Sequence, residues 1–229
     1  MGDVDIARVQ VAGVHDLDEA RLLCACGVGW IGIPLRLPVH REDLSDDAAA
    51  AVVRGCAGSG STCVLITYLE RAAEIADLAR RIGVRHVQLH GACCARELTA
   101  LRLALPGVVI IKSLVVRPGE DASAVYAQVG RLAPGVDAFI TDTFDPATGA
   151  SGATGLTHDW AVSRDIVRLS PRPVILAGGL TPGNLRQAIS AVRPAGVDCH
   201  TGVEGAGGRK DEVLVRRFIA EAHAAFGAG

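Results

Sequence analysis

The sequence predicts a single (β/α)₈ barrel spanning residues 1–229. Three observations carry that expectation. Short apolar segments alternate with amphipathic ones eight times along the chain. The length, 229 residues, is close to the roughly 250 typical of one such barrel. The last two apolar segments each run into glycines, in Val174-Ile175-Leu176-Ala177-Gly178-Gly179-Leu180-Thr181-Pro182 and Gly196-Val197-Asp198-Cys199-His200-Thr201-Gly202-Val203-Glu204. Both put flexible backbone where a strand gives way to a helix, the place where N–H groups can be aimed at one anion. In a (β/α)₈ barrel the loops after strands 7 and 8 are a recurrent phosphate site.

The strands are expected at residues 8–12, 28–33, 62–67, 85–89, 108–112, 137–141, 173–177 and 196–199. Each is a short run rich in Val, Ile and Leu, bounded by Gly, Pro or charged residues. Helices are expected near 16–26, 45–54, 70–82, 95–104, 121–132, 160–169, 182–192 and 211–226. Apolar residues at helical spacing, as in Ile75, Leu78, Ala79 and Ile82, mark their inner faces. Strict alternation of strand and helix implies a parallel sheet. An open doubly wound sheet is the competing arrangement, but the G-x-G-x-x-G that marks its dinucleotide-binding form after the first strand is missing.

Composition narrows the function. Apolar residues make up 49% and charged residues 21% of the chain, and the formal net charge is −2. That balance advertises neither a nucleic acid nor an anionic membrane. Two Trp, two Tyr and four Phe are too few for a base-stacking platform. No stretch approaches the about 18 apolar residues of a membrane span, and the acidic start Met1-Gly2-Asp3-Val4-Asp5 resembles no signal peptide. A cytoplasmic protein is expected. Seven irregularly spaced cysteines read as free thiols rather than a disulfide framework or a zinc site. The expected partner is a phosphorylated small molecule, with no cofactor and no metal, and the chain is expected to be a monomer or a homodimer.

In a barrel, reactive groups sit at the C-terminal ends of the strands. That rule selects Ala12, Arg36, His40, Thr67, Gln88, His90, Lys112, Asp142, Gly178, Gly179, Asp198, His200 and Thr201. The phosphate is assigned to Gly178, Gly179 and Gly202, where the lack of a Cβ lets backbone N–H groups approach closely. A metal-dependent variant would need His40, His90, Asp142, Asp198 and His200 to converge, which their spacing does not demand.

Several ordered motifs resemble the phosphoribosylanthranilate isomerase family of tryptophan synthesis. Val87-Gln88-Leu89-His90-Gly91 is similar to its V-Q-L-H-G, and Ile110-Ile111-Lys112 to its fifth strand. Thr141-Asp142-Thr143, Gly152-Ala153-Thr154-Gly155 and His158-Asp159-Trp160 resemble its L-D-T, G-G-T-G and F-D-W. Leu176-Ala177-Gly178-Gly179-Leu180-Thr181-Pro182-Gly183-Asn184 matches L-A-G-G-L-x-P-x-N, and Gly202-Val203-Glu204 with Gly208-Arg209-Lys210-Asp211 matches G-V-E and G-x-K-D. The resemblance covers nearly the whole chain and is strongest from residue 85 onward.

It implies a cofactor-free Amadori rearrangement of an aminoaldose phosphate to an aminoketose phosphate. An acid opens the furanose ring by protonating its oxygen, and a base removes the C2′ proton. Asp142 stands where the family has its acid, a role that requires a carboxyl able to hold a proton; a loop cap is the plainer alternative. Asp198 and Gln88 are candidates to touch substrate, and Gly155 joins the phosphate-binding set.

Three departures stand out. The family's K-I-C-G-I, whose Cys is the base, is here Gln10-Val11-Ala12-Gly13-Val14, and alanine cannot take a proton. The Arg that meets the anthranilate carboxylate could be Arg36 or Arg41. His200-Thr201 replaces Ser-Ser. His200, or else His90, is the expected substitute base, since histidine titrates near neutrality. Three readings follow: an isomerase of this type; another isomerase, epimerase or lyase on a different sugar phosphate; or a non-catalytic binding protein. Fold alone does not choose among them.

Overall fold

The protein is described by a computed structural model over residues 6, 8–38, 43–117, 121–143 and 160–227. Eight strands alternate with eight helices: β1 (Val9–Ala12), α1 (Leu17–Cys26), β2 (Trp30–Leu35), α2 (Asp46–Gly55), β3 (Thr62–Thr67), α3 (Ala72–Ile82), β4 (His86–Leu89), α4 (Ala95–Ala104), β5 (Val109–Val116), α5 (Ser123–Leu132), β6 (Ala138–Thr143), α6 (Trp160–Leu169), β7 (Val174–Leu176), α7 (Leu185–Val192), β8 (Gly196–Cys199) and α8 (Glu212–Gly227). All neighbouring strands are parallel, and β8 pairs with β1, so the sheet closes in the order of the chain. This is the expected (β/α)₈ barrel.

Residues alternate between two environments because successive strand side chains point to opposite faces. Val11, Ile31, Leu65, Leu89, Ile110 and Phe139 face outward and pack under the helices. Trp30, Val64, Ile111, Ala138, Ile140 and Ile175 face inward and fill the lower barrel, with Ile6 and Val109 packed against them. Above this apolar plug the inward positions turn polar: Gln10, Gln88, Ser113, Asp142 and Asp198 are all buried. Helix ends follow ordinary capping chemistry. Asp16 accepts from Glu19 N–H at 2.9 Å to start α1, and Gly27 ends it at φ 83°.

Several strand ends differ from expectation; β2, expected over 28–33, runs from Trp30 to Leu35. The expected fifth and sixth strands stop at residues 112 and 141, yet β5 runs to Val116 and β6 to Thr143, paired as Leu114↔Thr141, Val115↔Asp142 and Val116↔Thr143. On β5 the apolar Leu114, Val115 and Val116 are passed over, whereas on β6 the polar Asp142 and Thr143 read as loop. In a barrel they are strand, because the inward face at this rim carries polar side chains instead of core. Lys112 is therefore mid-strand. Its register partners, Leu89 and Phe139, belong to the outer layer, so Lys112 points away from the barrel axis. Its ammonium donates to the carbonyls of Leu89 at 3.0 Å and Ser113 at 2.9 Å, and burial pulls its pKa down to about 8. The seventh helix also begins later than expected, at Leu185, because Thr181 and Asn184 form a bonded turn first.

Phe139 is fully buried between β6 and the helices. Phe139→Ala is expected to destabilise the protein by about 3–5 kcal/mol, read as a lower urea midpoint with an unchanged slope.

Candidate active site at the C-terminal rim

One hydrogen-bonded layer crosses the upper barrel. Gln10 on β1 donates from Nε2 to Oε1 of Gln88 on β4 at 2.7 Å. The Gln88 amide nitrogen lies 2.8 Å from Nε2 of His90. That contact makes Nε2 the acceptor and leaves the ring proton on Nδ1, an assignment that follows from the network. Nδ1 of His90 lies 2.9 Å from Oδ2 of Asp142 on β6, both side chains being buried. The contact is bent, and neither atom has an in-line partner among the described residues. Oδ1 of Asp142 accepts from the Thr143 N–H at 2.9 Å. The Tyr68 ring packs on His90 with centroids 5.2 Å apart. At the other end, Gln10 lies beside Asp198, its register partner on β8, and favours the ionised form of that carboxyl.

Asp198 is the electrostatic outlier. Burial pushes its carboxyl up to about 7; Asp142 raises it further, while Gln10, His90 and Lys210 pull the other way. Its Oδ1 has no hydrogen-bond partner among the described residues.

The glycine bends lie together at this same rim. Gly178 and Gly179 have φ of 103° and 59°, the left-handed region that favours glycine. Asn184 pins their turn, donating from Nδ2 to the Gly179 carbonyl at 2.9 Å and accepting from Thr181 N–H at 2.8 Å. Gly202 presses against that turn so tightly that a methyl on it would lie 1.9 Å from the Leu180 carbonyl oxygen. The thiol of Cys199 donates to the same oxygen at 3.1 Å. A 3₁₀ turn, Thr201–Val203, follows β8.

The remaining candidates fall in different places. Ala12 ends β1, pointing inward opposite Gly32. The His200 ring folds back over Gly13: a methyl there would lie 2.0 Å from His200 Nε2. His200 thus reaches the end of β1, with Nε2 3.5 Å from Oε1 of Glu204. Lys210, whose side chain is fully buried, donates to Glu204 at 2.6 Å and to the His200 carbonyl at 3.0 Å. Arg36, at φ 62° just past β2, donates from Nη2 to both carboxylate oxygens of Asp46, at 2.8 and 2.9 Å. Gly155, His40 and Arg41 lie outside the described residues, as do His158 and Asp159. No group of three or more His, Cys, Asp or Glu residues among the described residues is arranged to hold a metal ion.

Sequence reasoning gave Gln10 no role. A polar residue between Val9 and Val11, inward by alternation from them, was the available signal. Asn184 was read only as part of a motif, and the Glu204–Lys210 pair was not anticipated.

The raised Asp198 carboxyl has a consequence for stability. The unfolded chain releases this proton near 3.8, the folded chain near 7. Between those values the folded state binds more protons, so stability falls as pH rises and levels off above about 7. Asp198→Asn is expected to raise Tm more at pH 8 than at pH 5, each kcal/mol being worth about 2–4 °C, as followed by calorimetry.

A family model described as N-(5′-phosphoribosyl)anthranilate (PRA) isomerase matches residues 40–221. N-(5′-phosphoribosyl)anthranilate isomerase 2 of Methanosarcina mazei is 40% identical, over 93% of this chain and 92% of that one. The isomerase structure from Pyrococcus furiosus covers 96% of this chain and 100% of that one, with a TM-score of 0.78 at 23% identity, a likeness of fold. A phosphoribosyl anthranilate isomerase solved with reduced 1-(o-carboxyphenylamino)-1-deoxyribulose 5-phosphate is 25% identical with a TM-score of 0.74, covering 96% of this chain and all of that one. No described helix is long and apolar enough to cross a membrane. The chain belongs to the phosphoribosylanthranilate isomerase family.

Proposed function

We propose that the protein converts N-(5′-phosphoribosyl)anthranilate to 1-(o-carboxyphenylamino)-1-deoxyribulose 5-phosphate, the Amadori step of tryptophan biosynthesis. One observation carries the assignment of roles: the Asp142–His90 contact opens into the same rim as the glycine bends at 178–179 and 202. Phosphate bound on those bends, with Gly155 completing the set, anchors the sugar over β8 and β1. Asp142 is the acid. Its protonated carboxyl gives the proton to the furanose oxygen, which breaks the C1′–O4′ bond as the nitrogen lone pair forms C1′=N⁺; the Nδ1–H of His90, facing Oδ2, then stabilises the carboxylate left behind.

Gln88 holds His90 in the tautomer that keeps a proton on Nδ1. An anthranilate carboxylate binding Arg36 would share the guanidinium with Asp46, which takes only its Nη2. The family match along the chain favours this reaction over an epimerase, a lyase or a non-catalytic relative.

The reading is tested by expressing the chain in a tryptophan auxotroph that lacks the isomerase. Growth is expected; its absence at high expression would reject the activity. With purified protein, Asp142→Asn should lower kcat by at least about 100-fold, in the range of a lost general acid, while inorganic phosphate still binds. Gly202→Ala should do the reverse in kind: the clash with Leu180 opens the cradle, and inorganic phosphate binding measured by calorimetry should weaken about tenfold or more.

A further inference from the structure

The isomerase reaction needs a group to take the C2′ proton, and Ala12 has none to offer. We infer that Asp198 is that group, and that Gln10 is the residue that makes it one. This rests on the isomerase reading above and goes beyond it in naming the base.

Geometry separates Asp198 from its rivals. It is an inward residue of β8, one register step deeper than the end of β1 at Ala12. Ala12 and Gly32 face each other across that end of the barrel, with the tip of Ile66 from β3 packed over Gly32, so β1 itself offers only a methyl group above Asp198. Oδ1 of Asp198 is buried and without a hydrogen-bond partner among the described residues. A buried polar atom in that condition costs free energy that a ligand contact recovers. His200 lies against Gly13, its Nε2 3.5 Å from the Glu204 carboxylate. His90 is engaged by Gln88 and Asp142.

Gln10 supplies the chemistry that a cation could not. An ammonium at that position would serve only the ionised carboxylate and hold the proton off it. An amide serves both states: its nitrogen donates to the carboxylate, and its carbonyl accepts from the carboxylic acid. Oε1 of Gln10 is itself buried and without a hydrogen-bond partner among the described residues. The charged and titratable groups acting on Asp198 are Asp142 from β6, which opposes ionisation, and His90 and Lys210, which favour it; the neighbouring group on β1 is neutral. The outcome is a carboxyl whose proton affinity is raised to about 7, suited to accept and return a proton near neutral pH.

The cycle balances with two carboxyls and no outside proton. After ring opening, ionised Asp198 takes the C2′ proton. The C2′–H electron pair becomes C1′=C2′, and the C1′=N⁺ π pair returns to nitrogen. Asp198 then delivers its proton to C1′ while O2′ loses its own to Asp142, leaving the C2′ ketone. Asp142 regains the proton it gave to O4′, and Asp198 is ionised again.

The test is steady-state turnover of enzymatically generated N-(5′-phosphoribosyl)anthranilate. Asp198→Asn is expected to lower kcat by about 100-fold or more with KM changed less than about threefold, and its melting curve confirms folding. His200→Gln should cost less than about tenfold. Adding Ala12→Cys to Asp198→Asn should restore at least about tenfold of the loss, a rescue that a merely structural Asp198 would not permit. Gln10→Lys should move the acid limb of the kcat–pH profile downward from near pH 7. An Asp198→Asn enzyme within about threefold of wild type, or a loss of 100-fold confined to His200→Gln, overturns the inference while leaving the isomerase reading intact. An inactive wild-type enzyme overturns both.

Discussion

A buried polar layer inside the barrel, from Asp198 through Gln10, Gln88 and His90 to Asp142, is what the rest of the rim depends on. Polar groups in a water-poor interior are costly unless paired, and a network polarises its members when paired. The layer draws on β1, β4, β6 and β8. It forms because β8 closes on β1 with Gln10 opposite Asp198. A one-residue slip in that register would turn Asp198 outward into the apolar layer under the helices, where no such partner waits. The apolar plug below fixes the register, and the polar layer above uses it. Stability and chemistry are thus divided along the barrel axis, with Trp30, Ile111 and Ile140 on one side and the reactive carboxyls on the other.

The same division explains what could be read from the chain alone. Eight alternations and the two glycine bends were legible because each rests on local pattern: apolar runs, helical spacing, and backbone that only glycine adopts cheaply. The glycine bends were placed at one rim by the rule of the fold, and the contact of Gly202 with Leu180 has them side by side. What failed locally was the end of β5 and β6. Polar residues such as Asp142 and Thr143 carry a loop signature in a soluble sheet, but here they continue the ladder. Lys112 was misjudged for the same reason. Alternation from inward Ile111 would have turned it outward, yet a strand believed to end at residue 112 leaves no alternation to apply.

Long-range pairings were not legible at all. Nothing in the local sequence says that His90 meets Asp142, that Arg36 is held by Asp46, or that His200 folds over Gly13. These depend on strand order, helix placement and a glycine thin enough to accept an imidazole. Gln10 is the instructive omission. It sits between Val9 and Val11 and could pass for a tolerated polar residue in a strand. Its importance appears only when β8 lies beside it and its amide is found between two polar side chains.

The departures at residues 10 and 12 are better understood as one change than as two. A thiol base at the end of β1 works best when nearby carboxylates stay ionised and passive, and a lysine two residues earlier enforces that on its β8 neighbour. Remove the thiol alone, and a cation at position 10 still pins the carboxylate, so no base remains. Remove the cation alone, and the buried carboxyl gains proton affinity with no task to perform, at a cost in stability above neutral pH. Ala12 and Gln10 together avoid both outcomes: the space opened at the rim and the proton affinity released at Asp198 fall on adjacent inward positions of β1 and β8. The barrel permits this exchange because its rim presents side chains from every strand to one mouth. A proton acceptor lost from one strand can then be supplied by its neighbour without moving the phosphate or the acid.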